Sequence, residues 1–125
     1  MMNVHKFESQ GEVFIEVKDS GSRVKIFIHS ILYIEAKNGY TFLHLKDRKD
    51  ELISTRRLNE YEHKFVKYGF ARIHHNILVN GIHISRRRYV SKTKLVVEVN
   101  DTELPVSKQK RINLRKLFSD NSENP

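Results

Sequence analysis

The sequence contains no cysteine and no tryptophan, and only two prolines and five glycines among its 125 residues. The lack of cysteine excludes disulfide bonds, thiol catalysis and zinc–thiolate sites. Because the glycines are spread along the chain, they cannot build a glycine-rich phosphate loop. There is no run of 18 apolar residues, so no membrane-spanning helix is expected. Met1–Lys6 lacks the apolar core of a signal peptide, and the cytoplasm is the expected compartment.

The length and the composition predict one globular domain. Hydrophobic residues make up 38% of the chain and charged residues 30%. The hydrophobic share is slightly low but sufficient for a core. No internal repeat and no linker divides the chain. We expect residues 1–10 to be a flexible lead-in, residues 11–118 to be the domain and residues 119–125 to be a disordered tail.

Alternation of apolar and polar residues predicts a mostly-β fold. Asn38-Gly39 is a strong hairpin signal, and Asn100-Asp101 is a plausible tight turn. One helix is predicted where Leu58, Tyr61, Phe65 and Tyr68 share a face, with Ser54 or Thr55 as its cap and Gly69 just past its end. A second helix is predicted over Lys108–Phe118 with Ser107 as N-cap. The predicted strands are Val13–Val17, Val24–Ile28, Ile31–Ala36, Tyr40–Leu45, Glu51–Ser54, Ala71–Asn80, His83–Val90, Lys94–Val99 and Thr102–Val106.

Positive charge is concentrated in the second half of the chain. The formal net charge is +8, yet residues 1–62 carry 10 basic and 10 acidic side chains and are neutral. Residues 63–118 carry 13 basic and 3 acidic side chains, a net charge of +10. This asymmetry favours a polyanion as partner. A merely solubilising surface is the alternative.

Catalysis and metal binding are not indicated. No pair of carboxylates has acid/base spacing, and no nucleophile motif accompanies the serines and histidines. His74-His75 is the only adjacent histidine pair, and neighbouring residues of a strand point to opposite faces. We therefore expect one buried and one exposed histidine, with no metal and no obligatory cofactor.

Three basic clusters stand out in the positive half: Arg86–Arg88, Lys92 with Lys94, and Lys108–Arg111. The first is best explained as a solvated hairpin face. The third places cations in the first turns of a helix, where they oppose the helix dipole. Free N–H groups at a helix start, together with Lys and Arg, are typical of a phosphate site.

Aromatic residues that stack on bases would indicate a binder of single strands. Tyr33, Phe42, Phe65 and Tyr68 fall on apolar faces and are expected in the core. Tyr40, after the Asn38-Gly39 turn, is the one aromatic side chain expected at a surface loop.

The order of these segments resembles the LytTR-type DNA-binding domain of bacterial transcriptional regulators, over roughly residues 12–118. The most specific part is the block Phe70-Ala71-Arg72-Ile73-His74-His75-Asn76-Ile77-Leu78-Val79-Asn80. The remaining matching residues are Ile34-Glu35-Ala36, Asn38-Gly39-Tyr40, Arg57-Leu58 and Leu104-Pro105-Val106-Ser107-Lys108.

The resemblance implies a small, β-sandwich-like fold of several sheets that binds double-stranded DNA through loops. It further implies contacts in successive major grooves, imperfect direct repeats and bent DNA. Carried over to this chain, the implied contacts are Lys37, Asn38 and Tyr40 in a first loop, Arg72, His75 and Asn76 in a second region, and Ser107 and Lys108 in a third, with Lys110 and Arg111 placed for phosphates. Val79 and Asn80 are expected to hold the backbone.

Two positions depart from the family pattern. His75-Asn76 stands where Arg-Ser is common, and Ser107-Lys108 stands where Ser-Arg is frequent. Lysine lacks the planar fork of arginine, so bidentate reading of a guanine is lost at Lys108.

The leading hypothesis is a sequence-specific DNA-binding transcriptional regulator without catalytic activity. A second copy on an adjacent repeat, and a sensor or receiver protein in trans, are further candidate partners. The alternatives are a protein-interaction or ligand-sensing β-domain with a solubilising basic face, and a binder of RNA or single strands.

Overall fold

The fold is built from short antiparallel strands, and the computed structural model describes residues 4–7, 12–19 and 21–122. These described residues contain two α-helices, α1 (Leu58–Phe65) and α2 (Arg111–Ser122). The mostly-β prediction is confirmed. The strands are β1 (Val4–Phe7), β2 (Glu12–Asp19), β3 (Ser22–Phe27), β4 (Ile31–Lys37), β5 (Tyr40–Leu45), β6 (Leu52–Ser54), β7 (Phe70–His74), β8 (Ile77–Asn80), β9 (Ile84–Tyr89), β10 (Leu95–Val99) and β11 (Thr102–Val106). Short 3-10 turns cover Ile28–Ser30, Val66–Tyr68, Gly81–His83 and Lys108–Lys110.

The strands form three sheets. The first has the order β1-β2-β3, the central one β6-β5-β4-β8-β7 and the third β11-β10-β9. Every pairing is antiparallel. No helix in the described part of the chain is long and apolar enough to cross a membrane.

The central sheet is buried on both faces, which makes the fold sandwich-like. One face packs with the first sheet and α1 in a cluster that includes Ile34 and Phe65. The other face packs with the third sheet and α2 in a cluster that includes Ile73 and Val97. Of the aromatic residues expected in the core, Phe65 is fully buried, whereas the other three are half-buried: Tyr33, Phe42 and Tyr68.

The two predicted tight turns are confirmed by their backbone angles. Asn38 and Gly39 have φ of 53° and 81°, and Asn100 and Asp101 have φ of 48° and 67°. Positive φ at both central positions is the geometry of a type I′ hairpin turn, which Asn, Asp and Gly adopt most easily. Gly69 likewise lies in the left-handed region, at φ 88°.

The strand predicted over Ala71–Asn80 is wrong as a single element. The structure divides it into β7 and β8, which pair with each other around a turn at His75 and Asn76. The turn was not predicted because it contains neither glycine nor proline, and Asn76 is its one residue with a turn preference.

The predicted cap of α1 is wrong, whereas Ser107 does stand at the N-cap position of the 3-10 turn that leads into α2. Arg57 precedes α1 without a side-chain cap bond, and the Ser54 hydroxyl instead accepts from Arg56 N at 3.1 Å and pairs with the Tyr61 hydroxyl at 2.7 Å. Ser107 makes no side-chain cap bond, although its carbonyl accepts from Lys110 N at 3.0 Å.

The described residues near both ends of the chain form regular elements. Within the lead-in predicted for residues 1–10, Val4–Phe7 form β1 and pair with β2, because backbone bonds along a sheet edge need no apolar pattern. Residues 1–3 and 8–10 lie outside the described residues. Within the tail predicted for residues 119–125, α2 continues to Ser122, since no glycine or proline interrupts it before Pro125. Residues 123–125 lie outside the described part.

Candidate nucleic-acid interface

The three loop regions predicted to contact DNA lie at one end of the molecule. Ala36, at the end of β4, donates its N–H to the Asn76 carbonyl at 2.9 Å, which places the β4–β5 turn beside the β7–β8 turn. Ser107 N donates to the Ile73 carbonyl at 2.9 Å, which brings the segment after β11 to the same place. We call this surface the loop end, and it consists of Lys37–Tyr40, His75–Asn76 and Ser107–Lys108.

The β4–β5 turn presents exposed polar side chains. Tyr40 is 53% exposed, as the sequence predicts, although it is the first residue of β5 rather than part of the turn. Lys37 and Asn38 are also exposed. The Lys37 ammonium lies 5.2 Å from the centre of the half-buried Phe42 ring, a cation–π contact.

The β7–β8 turn presents His75 and Asn76, and both side chains are exposed. The neighbouring His74 is half-buried, and its Nδ1 accepts from Asn76 N at 3.2 Å. The two histidines therefore have different environments. Within the described residues no group of three or more His, Asp or Glu side chains could hold a metal ion.

Arg72 lies beneath this turn instead of on its surface. The residue is 9% exposed, and its Nε donates to the carbonyls of His74 and His75 at 3.1 and 3.2 Å. A terminal nitrogen, Nη2, also donates to the His75 carbonyl. Nη1 donates to Asn59 Oδ1 at 2.9 Å and to Glu62 Oε1 at 2.7 Å, both on α1. The family resemblance implies Arg72 as a DNA contact, whereas in the structure its guanidinium is buried and bonded to protein atoms.

The supporting residues Asn59 and Glu62 could not be predicted from the sequence. They precede Arg72 by 13 and 10 residues on a different element, so no local pattern connects them. A third link comes from α2, where Asn113 Nδ2 donates to the Arg72 carbonyl at 2.9 Å. The turn is thus fixed to both helices through one arginine.

The 3-10 turn before α2 presents Lys108 as an exposed cation, and Lys110 is half-buried. Arg111 is oriented differently from the sequence-based expectation. Its Nη2 donates to the Thr93 carbonyl, and its guanidinium carbon lies 5.6 Å from the centre of the Tyr89 ring. Its Nε is buried without a hydrogen-bond partner among the described residues. The side chain therefore packs against the β9–β10 hairpin.

The Arg86–Arg88 cluster is exposed and largely neutralised. Arg86 Nη2 and Arg88 Nε each lie 3.0 Å from Glu98 Oε2, and Arg88 also pairs with Glu103. Hydrogen bonds from Arg86 and Arg88 lower the pKa of Glu98, so the carboxylate stays ionised. The Arg87 guanidinium carbon lies 4.3 Å from the centre of the Phe118 ring. This geometry fits the interpretation of a solvated hairpin face.

His44, on β5, has a pKa below its ordinary value. Its ring stacks on Tyr33 with centroids 4.1 Å apart and 14° between the planes. Burial lowers the pKa of His44, although the carboxylates of Glu35 and Glu51, at 3.5 and 3.9 Å, act in the opposite direction. The neutral imidazole is favoured in the folded protein.

Comparisons with known proteins identify the family and the fold. A family model described as the LytTr DNA-binding domain matches residues 21–119. Among solved structures, the chain is similar to the LytTr DNA-binding domain of a Bacillus cereus protein described as a putative methyl-accepting/DNA response regulator. The TM-score is 0.73 at 22% sequence identity, and the match covers 84% of this chain and 95% of that chain, a likeness of fold. A comparison with curated proteins finds no match. Since the family model spans most of the sequence, the chain belongs to the LytTr DNA-binding domain family and is a regulatory DNA-binding domain.

Proposed function

We propose that this protein is a sequence-specific transcriptional regulator that binds double-stranded DNA through the loop end. The observation that carries the proposal is the convergence of three exposed polar loops, from two different sheets, on one surface. Loops that project side by side can enter successive major grooves, where each base pair presents a distinct pattern of donors and acceptors. Imperfect direct repeats and a bend in the DNA follow from the family resemblance and belong to the same proposal.

The loop-end side chains divide into two roles. Lys37 and, just beyond the loop end, Lys110 supply positive charge for phosphates, which accounts for most of the affinity. His75 and Asn76 can donate or accept at base edges, since an amide and an imidazole each offer both kinds of group. Further base contacts are assigned to Asn38, Tyr40, Ser107 and Lys108.

Regulatory partners form part of this proposal. Two copies on adjacent repeats would meet only on the DNA, so the affinity for a two-repeat duplex should exceed that for a single repeat. A sensor or receiver protein acting in trans would supply the signal.

The test starts from a randomised duplex pool. We expect selection of the bound fraction to enrich a repeated motif, and fluorescence anisotropy on that motif to show steep salt dependence. Lys108→Ala should weaken binding to the motif by about 1–3 kcal/mol and relax the preference at one base. Lys49→Ala is the matched control, because it removes the same charge from the exposed β5–β6 segment at the opposite end.

Three outcomes would contradict parts of this proposal. Equal losses for Lys108→Ala on matched and scrambled duplexes would reduce Lys108 to a phosphate contact. Salt-sensitive binding without an enriched motif would refute sequence specificity. No duplex binding at about 50 mM salt would refute the proposal for this chain and favour a protein-interaction or ligand-sensing role.

A further inference from the structure

The β9–β10 hairpin reaches the loop end although none of the three assigned contact regions includes it. In the third sheet, Leu95 pairs with Tyr89 on one side and with Val106 on the other. Val106 is followed directly by Ser107 of the loop end. The residues that connect β9 to β10 therefore lie at the same end of the third sheet as Ser107. We call Tyr89–Lys94 the basic hairpin.

The basic hairpin is internally ordered. Val90 N donates to the Lys94 carbonyl at 2.9 Å and closes the turn. The Ser91 hydroxyl accepts from the backbone N–H groups of Thr93 and Lys94 at 3.3 and 3.2 Å. Backbone groups and one serine thus fix the turn, so the lysine side chains are not needed to hold it.

Arg111 attaches the basic hairpin to the start of α2. Its guanidinium donates to the Thr93 carbonyl and lies over the exposed Tyr89 ring. Lys108 and Lys110 belong to the 3-10 turn immediately before Arg111. The hairpin and the third contact region are therefore held together as one unit.

The charge of the basic hairpin is not neutralised. Lys92 and Lys94 are exposed, and neither makes an ion pair within the described residues. No Asp or Glu occurs between Ile84 and Val97, whereas Arg86 and Arg88, further down the strand, are paired with glutamates. The positive charge of this hairpin is thus concentrated at its tip.

We infer that the basic hairpin is a fourth DNA-contacting element, which binds backbone phosphates beside the groove that Ser107 and Lys108 enter. The inference rests on the proposed function and adds an interface that the three loops do not include. Lys92 and Lys94 each neutralise one phosphate, and flexible ammonium groups carry no base code. The hairpin therefore contributes affinity without sequence preference.

The experiment compares two double variants of the full chain. Lys92→Ala/Lys94→Ala removes both hairpin charges, and Lys46→Ala/Lys49→Ala removes two exposed charges from the β5–β6 segment at the opposite end. Because each lost phosphate contact lowers the salt slope of binding by about 0.9, the hairpin variant should lose about 1.8. At 0.15 M salt its affinity should fall roughly tenfold or more, by the same factor on the selected motif and on a scrambled duplex.

Two further measurements separate the loss of phosphate contacts from a loss of folded protein. Thermal unfolding followed by circular dichroism should give the same midpoint for the hairpin variant and the unmodified chain. Lys92→Arg/Lys94→Arg should restore the salt slope, since arginine keeps the charge.

The outcomes separate this inference from the proposed function. The hairpin inference is overturned if the unmodified chain enriches a motif but the salt slope of the hairpin variant equals that of the control variant. The proposed function then stands. A loss confined to the selected motif overturns the phosphate role, because it shows base reading. If the unmodified chain binds no duplex, the proposed function and the inference are overturned together.

Discussion

Replacement of Arg72 by methionine should separate a DNA contact from a side chain that positions the contacts. Methionine keeps much of the apolar stem but removes every donor to Asn59, Glu62 and the carbonyls of the His75–Asn76 turn. Removal of one partner from a buried ion pair costs about 3–5 kcal/mol. Because the Glu62 side chain is 36% exposed, water screens part of that loss, and we expect about 2–3 kcal/mol.

The effect on DNA should appear as lost discrimination. A turn that is no longer fixed by Arg72 samples other conformations, so His75 and Asn76 spend less time in the geometry that contacts bases. We expect the ratio of specific to non-specific affinity to fall about tenfold, or about 1.4 kcal/mol. The salt slope should stay unchanged, whereas a direct phosphate contact would lower it by about 0.9.

Urea unfolding and fluorescence anisotropy at several salt concentrations measure both quantities. Arg48→Met is the matched control, since it removes an arginine whose Nη2 lies 3.3 Å from Asp19 on the surface, a pair worth at most about 1 kcal/mol. Glu62→Gln weakens the same anchor but also removes a negative charge. It should lower discrimination while leaving non-specific affinity unchanged or higher.

One result would refute the positioning role of Arg72. If Arg72→Met unfolds at the same urea concentration as the unmodified chain and its salt slope is lower by about 0.9, the side chain contacts a phosphate. The positioning role would also be contradicted if Glu62→Gln weakened binding to matched and scrambled duplexes by the same factor, because that variant leaves Arg72 in place.

Two further predictions concern stability. In Gly81→Ala the new Cβ would lie 2.6 Å from Leu117 Cδ2 and 2.9 Å from the Gly69 carbonyl oxygen, and the backbone contact cannot move easily. Urea unfolding should show that the free energy of unfolding falls by about 1–3 kcal/mol, while the salt slope of DNA binding stays unchanged. An unchanged urea midpoint would show that the added methyl group meets no such close contact. Because burial lowers the pKa of His44 in the folded state, the unfolded state binds more protons below about pH 6.5, and the free energy of unfolding falls as the pH decreases. His44→Gln should reduce this dependence between about pH 7.5 and 5.5, and parallel curves for the two proteins would contradict the assignment.

The features that could be predicted from the sequence are those that depend on neighbouring residues. Asn38-Gly39 and Asn100-Asp101 were identified because positive φ is costly for most side chains and inexpensive for these. The spacing of Leu58, Tyr61 and Phe65 likewise predicted the buried face of α1, and all three are buried. In each case the preference is a property of a few consecutive residues.

The β7–β8 turn shows why other features could not be predicted. His75 has no strong turn preference, Asn76 alone does not identify a turn, and the carbonyls that the turn exposes are satisfied by Arg72 from within the hairpin. The guanidinium can stay there because Asn59 and Glu62 accept its remaining bonds from another element. A buried charge needs such partners, and a sequence does not show which residues will meet.

The same limit applies to charge. In the sequence, Arg86–Arg88 is the densest basic cluster, and Lys92 with Lys94 is the least conspicuous. Cross-strand pairing reverses that order, because β10 places Glu98 beside two of the arginines and leaves the lysines at the hairpin tip without a carboxylate. A polyanion responds to the charge that remains after such pairing. The tip lysines should therefore affect DNA affinity more than the arginine cluster does, although a count along the chain ranks them in the opposite order.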